Sequence, residues 1–162
     1  MAAVGIVANP AAGKDIRRLL AHASTFDNLE KVNIVRRVLL GLAAAGVDDV
    51  LFMPDPFGIV PRALHHLDGA PPTSPLDLEC AGDDTDSTCA ASMLRERGVG
   101  CIVTLGGDGT NRAVARGCGE VPLVAISTGT NNVFPQLMEG TIAGLAAGVV
   151  ASGKIKIGRA HV

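Results

Sequence analysis

The chain has 162 residues, 48% of them hydrophobic and 19% charged, which is enough to build one packed core. Four Phe with no Trp and no Tyr imply an aliphatic core of Val, Ile, Leu and Ala, and remove the aromatic platforms on which single-stranded nucleic acid stacks. A net charge of −2 also disfavours a nucleic-acid partner, and no apolar run approaches the roughly 18 residues that span a bilayer, so no membrane partner is expected.

In chain order, 4–8 reads as the first strand. The strongest helix is predicted over 27–46, with Leu29, Val32, Val35, Val38, Leu39, Leu42 and Ala43 on one stripe. Asp27 with Glu30 resembles a capping box there, and Gly46 is a suitable stop. Residues 50–53 read as a strand closed by Pro54, 57–67 as a helix with an early proline at Pro61, 69–75 as a loop and 76–80 as a third strand. Asp83, Asp84 and Asp86 open a helix that ends at Gly98 or Gly100. Acidic residues in a first turn serve the helix dipole, so this cluster is read as structural rather than as a metal site. Residues 101–105 and 121–126 are expected to be the two best buried strands, 111–116 has helical character, and 142–151 is a late Ala/Gly-rich helix. The strand-then-helix rhythm is that of a parallel sheet wrapped by helices. Cysteines 80, 89, 101 and 118 form no C-x-x-C pair, and with no secretory signal at the start they read as free thiols in a cytoplasmic protein.

Three loops follow strands, and in an open α/β sheet ligands lie at the carboxyl ends of strands. The most informative is Gly106-Gly107-Asp108-Gly109-Thr110. Its glycines let the backbone take φ > 0 and come close to a ligand, while N–H groups at the following helix start attract anionic oxygens. Asp108 is odd in such a loop, because a carboxylate repels phosphate. Its presence points to a chemical role, which could be accepting a proton from an attacking hydroxyl, holding a metal, or binding a ribose hydroxyl. The plainer reading is a tight turn in which Asp108 caps the helix. The other loops are Asn9-Pro10-Ala11-Ala12-Gly13-Lys14 and Ser127-Thr128-Gly129-Thr130-Asn131-Asn132-Val133-Phe134-Pro135, whose hydroxyl and amide groups can bond phosphate or ribose without adding charge. Each alone is an ordinary loop; together, at one sheet edge, they favour a nucleotide phosphate site.

The Asn-Pro-x-x-Gly opening, the Gly-Gly-Asp-Gly-Thr loop and the later Gly-Thr-x-Asn-x-Phe loop resemble the superfamily uniting NAD kinases with diacylglycerol and sphingosine kinase-type lipid kinases. The runs 8–18, 26–28, 31–33 and 109–113 are most similar to the bacterial ATP-NAD kinase-like proteins of the acetoin catabolism protein X type. The resemblance covers essentially the whole chain. It implies a Rossmann-like, three-layer α/β/α domain with a mostly parallel sheet. It further implies that 1–162 is the N-terminal nucleotide-binding domain, with a second, β-rich domain after Val162 and the active site between the two. The Asn-Glu or Asn-Asp pair with which NAD kinases hold the acceptor is not found after Asp108, and its place is expected beyond Val162. The third loop departs from the lipid-kinase pattern Gly-Thr-Gly-Asn-Asp-Phe at Asn131 and Val133.

The implied activity is phosphoryl transfer from ATP or polyphosphate to a hydroxyl such as the 2′-OH of NAD, with magnesium, in chemistry that needs positioning and charge neutralisation. Gly106, Gly107 and Gly109 would supply N–H groups and clearance, Thr110 would orient a phosphate oxygen, and Asp108 would accept the proton or contact the metal. Asn9, Gly13 and Lys14 would approach the nucleotide, with Thr128, Gly129, Thr130 and Asn132 closing the other side. No dedicated carboxylate cage for magnesium is visible. A lipid or small-alcohol kinase would use the same loops, and a non-catalytic NAD or ATP sensor linked to acetoin catabolism would bind without turnover. The family habit of assembling leaves a homo-oligomer open. His65-His66 beside Asp68 fits a helix end better than a metal site, His22 and His161 are isolated, and Arg112 with Arg116 could reach phosphate or form a solvated helix face.

Overall fold

The computed structural model describes residues 1–13, 27–129 and 132–155. Five strands form one sheet: β1 (Ala3–Ala8), β2 (Asp49–Phe52), β3 (Thr73–Pro75), β4 (Cys101–Gly106) and β5 (Leu123–Ser127). Their order is β3-β2-β1-β4-β5, and every pairing is parallel, with Val4 opposite Val50 and Cys101, and Gly106 opposite Ser127. The chain moves outward from β1 to β3, then crosses back to place β4 on the other side of β1. The order therefore reverses between β1 and β4, and the carboxyl ends of those two strands open the crevice where such sheets take ligands.

Side chains alternate across the sheet, so Ile6 and Val7 enter different cores. On one side Val4, Ile6, Phe52 and Val103 pack with α1 (Asn28–Ala44), α2 (Ile59–Leu64) and α5 (Gly140–Ala151). On the other, Val7, Leu51 and Ile102 pack with α3 (Asp84–Glu96) and α4 (Asp108–Gly117). The result is the Rossmann-like three-layer α/β/α arrangement that the sequence resemblance implies. Among the described residues no helix is long and apolar enough to cross a membrane. All four cysteines are free thiols, and burial pushes the Cys101 thiol up to about 12.

In α1, Val32, Val35, Val38, Leu39 and Leu42 form the buried stripe, each burial being worth ~1.5–3 kcal/mol, while Leu29 stays exposed. Only half of the expected capping box forms: Asp27 accepts from the Leu29 N–H, but Glu30 pairs with Arg37 instead. Gly46, at φ 78°, ends the helix as expected. Helix α5 presents Gly140 and Gly144 to α1, and Gly148 to Ala45 just past its end, at a spacing of four, and a Cβ on Gly144 would strike the Val38 carbonyl oxygen. The two helices consequently pack backbone against backbone.

Two expectations need correction. The strand is not 76–80 but Thr73–Pro75, within the expected 69–75 loop; proline is tolerated there because β3 is an edge strand. Beyond it the chain curls, as the Asp86 carboxylate accepts the N–H groups of Ala81 and Gly82 at 2.7 and 2.8 Å. Helix α2 is shorter than 57–67. The Asp55 carboxylate gathers the N–H groups of Phe57, Gly58 and Ile59 into a turn before it. At its other end the Arg36 guanidinium donates to the carbonyls of Ala63, Arg62 and His65.

Candidate functional site

The loops after β1, β4 and β5 meet. The Asn9 N–H donates to the Leu105 carbonyl at 3.0 Å, extending the β1–β4 ladder one step, and the Asn9 side-chain amide donates to Thr110 Oγ1 at 3.0 Å. Thr128 N–H donates to the Gly106 carbonyl. The β5 loop doubles back along its own strand, with Ser127 N–H bonded to the Gln136 carbonyl and Gln136 N–H to the Ala125 carbonyl. That return brings Asn132 over Gly107, where its amide donates to Ser127 Oγ at 2.8 Å.

Between these loops and the start of α3 lies an open cleft of about 710 Å³. Asn9, Gly13, Gly107, Asp108, Gly109, Thr110 and Asn132 line it, all of them expected from the sequence. Gly106, Thr128 and Gly129 do not line it. Gly106 lies against Thr110, and Thr128 is buried, its hydroxyl oxygen without a hydrogen-bond partner among the described residues. Lys14 and Thr130 fall outside the described residues. The opposite wall contains Asp83, Asp84 and Ser87, with Arg112 and Arg116 along the side. As expected, the acidic cluster serves α3: Asp83 is its N-cap, accepting the Thr85 N–H at 2.8 Å, and Asp84 pairs at the surface with Arg116. Among the described residues no group of three His, Cys, Asp or Glu could hold a metal ion.

The glycines work differently from the expectation that they supply φ > 0. Gly106, Gly107 and Gly109 all lie outside the positive-φ region, in which Gly13, at 81°, is the member among the loop glycines. A Cβ at Gly106 would meet the Thr110 side chain, and one at Gly107 would lie 3.0 Å from Asn132 Oδ1, so close approach demands these two. Nothing lies within 4 Å of a Cβ on Gly109, which faces open space in the cleft.

Helix α4 begins at Asp108 with Gly107 as N-cap and no side-chain cap, so Asp108 does not cap the helix. The N–H groups of its first turn have no intrahelical partners and carry the positive end of the dipole, an arrangement suited to anionic oxygens. Asn111 secures the turn beneath, donating to the Gly107 carbonyl at 2.9 Å and accepting from Thr104 Oγ1 at 2.6 Å. The Asp108 carboxylate reaches across to the third loop, accepting the N–H groups of Phe134 at 2.9 Å and of Val133 at 3.0 and 3.1 Å. These bonds, Phe134 foremost, and the nearby Arg112 charge lower its pKa, so it is ionised at neutral pH. Beyond it a shallower recess of about 460 Å³ is walled by Ala115, Leu123, Val133 and Phe134.

Residues 4–155, which include the sheet and the glycine-lined helix start at its reversal, match the family model of the ATP-NAD kinase N-terminal domain. The chain belongs to this family. It is also 45% identical over 159 residues to acetoin catabolism protein X of Cupriavidus necator, an alignment covering 94% of this chain and 44% of that relative. The chain thus spans less than half the length of the relative.

Sequence reasoning counted Lys31 in the run 31–33 that carries the resemblance but gave it no role at the site. This side chain is fully buried in α1, and its ammonium donates to the carbonyls of Asn9, Pro10 and Ala12 at 2.8, 3.1 and 2.7 Å and to Asn28 Oδ1 at 3.0 Å. Position 31 lies four residues before Val35 on the apolar stripe, so a cation on that stripe was the available signal.

Proposed function

We propose that this domain is the nucleotide-binding half of a phosphotransferase that moves a phosphoryl group from ATP or polyphosphate to NAD, giving NADP. The observation that carries the reading is the uncapped start of α4, with open space above Gly109, at the point where strand order reverses. The nucleotide phosphates would lie along this helix start, received by N–H groups of the first turn. Asn9 and Thr110, bonded to each other, would fix the distance between the β1 and β4 loops, while Asn132 closes the third side. Lys14 and Thr130 keep their proposed places beside the nucleotide.

Asp108, ionised and partly engaged by the β5 loop, would orient the attacking hydroxyl or contact the metal; its lowered pKa makes it a weak proton acceptor. Phosphoryl transfer asks for this sort of positioning more than for strong base catalysis. Asp108 would hold magnesium, which when bound would supply charge neutralisation for the transferring group. One or two carboxylates together with substrate phosphates are a sufficient set for it, and Asp108 is the cleft carboxylate that neither caps α3, as Asp83 does, nor pairs with Arg116, as Asp84 does. In this reading a second, β-rich domain beyond Val162 supplies the acceptor side.

A second reading, a kinase for a lipid or other small alcohol, draws on the apolar recess beside Asp108 formed by Leu123, Val133 and Phe134. The deciding experiment supplies the complete protein with NAD, magnesium and either ATP or polyphosphate, with Asp108→Asn as control. Asp108-dependent NADP supports the NAD kinase reading and identifies the donor. ATP binding with no NADP moves the weight to another acceptor or to a nucleotide sensor.

A further inference from the structure

Lys31 sits where two rules argue against a lysine. It occupies the fourth position of α1, near the positive end of the helix dipole, and its side chain is completely removed from solvent. A buried ammonium persists only where its donors are well satisfied, and here three of its acceptors come from one short loop: the carbonyls of Asn9, Pro10 and Ala12. Another acceptor among the described residues, Asn28 Oδ1, is one helical turn away and also buried, so it fixes the ammonium against α1.

The loop is therefore wound around the lysine. With its carbonyls turned inward to the ammonium, its other edge faces the cleft, which Asn9, Ala11, Ala12 and Gly13 line. The Asn9 side chain completes the frame from the cleft side, accepting the Ala11 N–H at 2.8 Å while donating to Thr110. We propose that Lys31 is a positioning residue for the site: it shapes the 9–13 loop from behind and so sets how that loop meets the phosphates, without touching them. The consequence for binding rests on the nucleotide reading above; the consequence for the loop does not.

The test compares the complete wild-type protein with Lys31→Met, which fills similar volume without donors, and Lys31→Gln, which keeps an amide donor. Amide hydrogen exchange of residues 9–13, read at Asn9, Ala11, Ala12 and Gly13, is measured together with titration by magnesium ATP. In Lys31→Met, residues 9–13 should exchange at least tenfold faster and the ATP Kd should rise about tenfold or more, while protection of β4, α3 and α4 stays at the wild-type level; Lys31→Gln should fall between. Unchanged exchange at 9–13 in Lys31→Met would overturn the proposal. So would a loss of protection spread over β4 and α4 in both variants, because Lys31 would then be holding the fold rather than the loop. Faster exchange at 9–13 with an unchanged ATP Kd would overturn its role in binding. If wild type itself binds no ATP, the nucleotide reading fails, and the exchange of 9–13 still decides whether Lys31 shapes the loop.

Discussion

Asn9 and Thr110, 101 residues apart in sequence, are joined by a 3.0 Å hydrogen bond between the Asn9 amide and Thr110 Oγ1. The bond ties the turn leaving β1 to the first turn of α4, across the point where strand order reverses. Thr110 is buried, and its hydroxyl also lies against the backbone of Gly106, so the contact is held from both sides.

Thr110→Val keeps the shape of the side chain and removes the acceptor, leaving the Asn9 amide to find water. The expected cost is ~1 kcal/mol, which for a domain of this size lowers Tm by about 2–4 °C. Asn9→Ala should cost more, because it also releases the Ala11 N–H. In a double-mutant cycle read by chemical denaturation, the pair should show a coupling of at least ~0.5 kcal/mol. Strictly additive effects would mean that the two loops are not joined through this bond.

The Asp108 latch on the third loop predicts a specific acid response. Because the N–H groups of Phe134 and Val133 bond to the carboxylate, its folded pKa lies below its ordinary value. The folded protein therefore binds this proton less well than the unfolded chain does. The contribution is complete above the unfolded carboxylate range and is lost as pH falls through the lowered folded value. Protection factors of the Val133 and Phe134 amides should hold constant from neutral pH down to about 4 and drop below it. In Asp108→Asn they should be lower throughout and insensitive to pH. Glu139, whose pKa is lowered by the N–H groups of Thr141 and Ile142, titrates in the same direction, but its effect belongs to the start of α5 and is read there.

Much of this architecture was legible because its signals are local. The apolar stripe of α1, the β-branched run of β4 and the stop at Gly46 each depend on a few neighbouring residues. What escaped the sequence depends on distant partners. The run from Pro71 to Pro75 reads as loop until β2 is beside it to make an edge strand. Gly107 reads as conformational freedom until the β5 loop returns to place Asn132 above it. Lys14 is the cation next to the motif, whereas Lys31, which organises the first loop, reaches it from a helix that begins fifteen residues after Gly13.

Glycine in α5 offers a purely structural test. Gly144→Ala would gain ~1 kcal/mol of helix propensity in isolation, yet its methyl group would strike the Val38 carbonyl and force α5 away from α1. Overpacking of this sort typically costs ~1–3 kcal/mol, so the substitution should lower stability, measured by denaturant unfolding, with no specific effect on ligand binding at unchanged folded fraction. A stabilised Gly144→Ala would mean that the helices are not in backbone contact.

Gly109 should behave in the opposite way. It is the second residue of α4, its φ is not positive, and a Cβ there meets nothing within 4 Å. On stability grounds alone alanine is the better residue, and Gly109→Ala should stabilise the domain by ~0.5–1 kcal/mol. The added methyl group, however, would stand in the cleft beside the N–H groups of the helix start, where the phosphates are proposed to approach. Magnesium ATP should therefore bind at least tenfold more weakly to a variant that melts at a higher temperature. A structural glycine cannot give that combination, since removing it would lower both quantities or neither. Higher Tm with undiminished ATP affinity would place the phosphates elsewhere in the cleft, and lower Tm would show that Gly109 is needed by the turn itself.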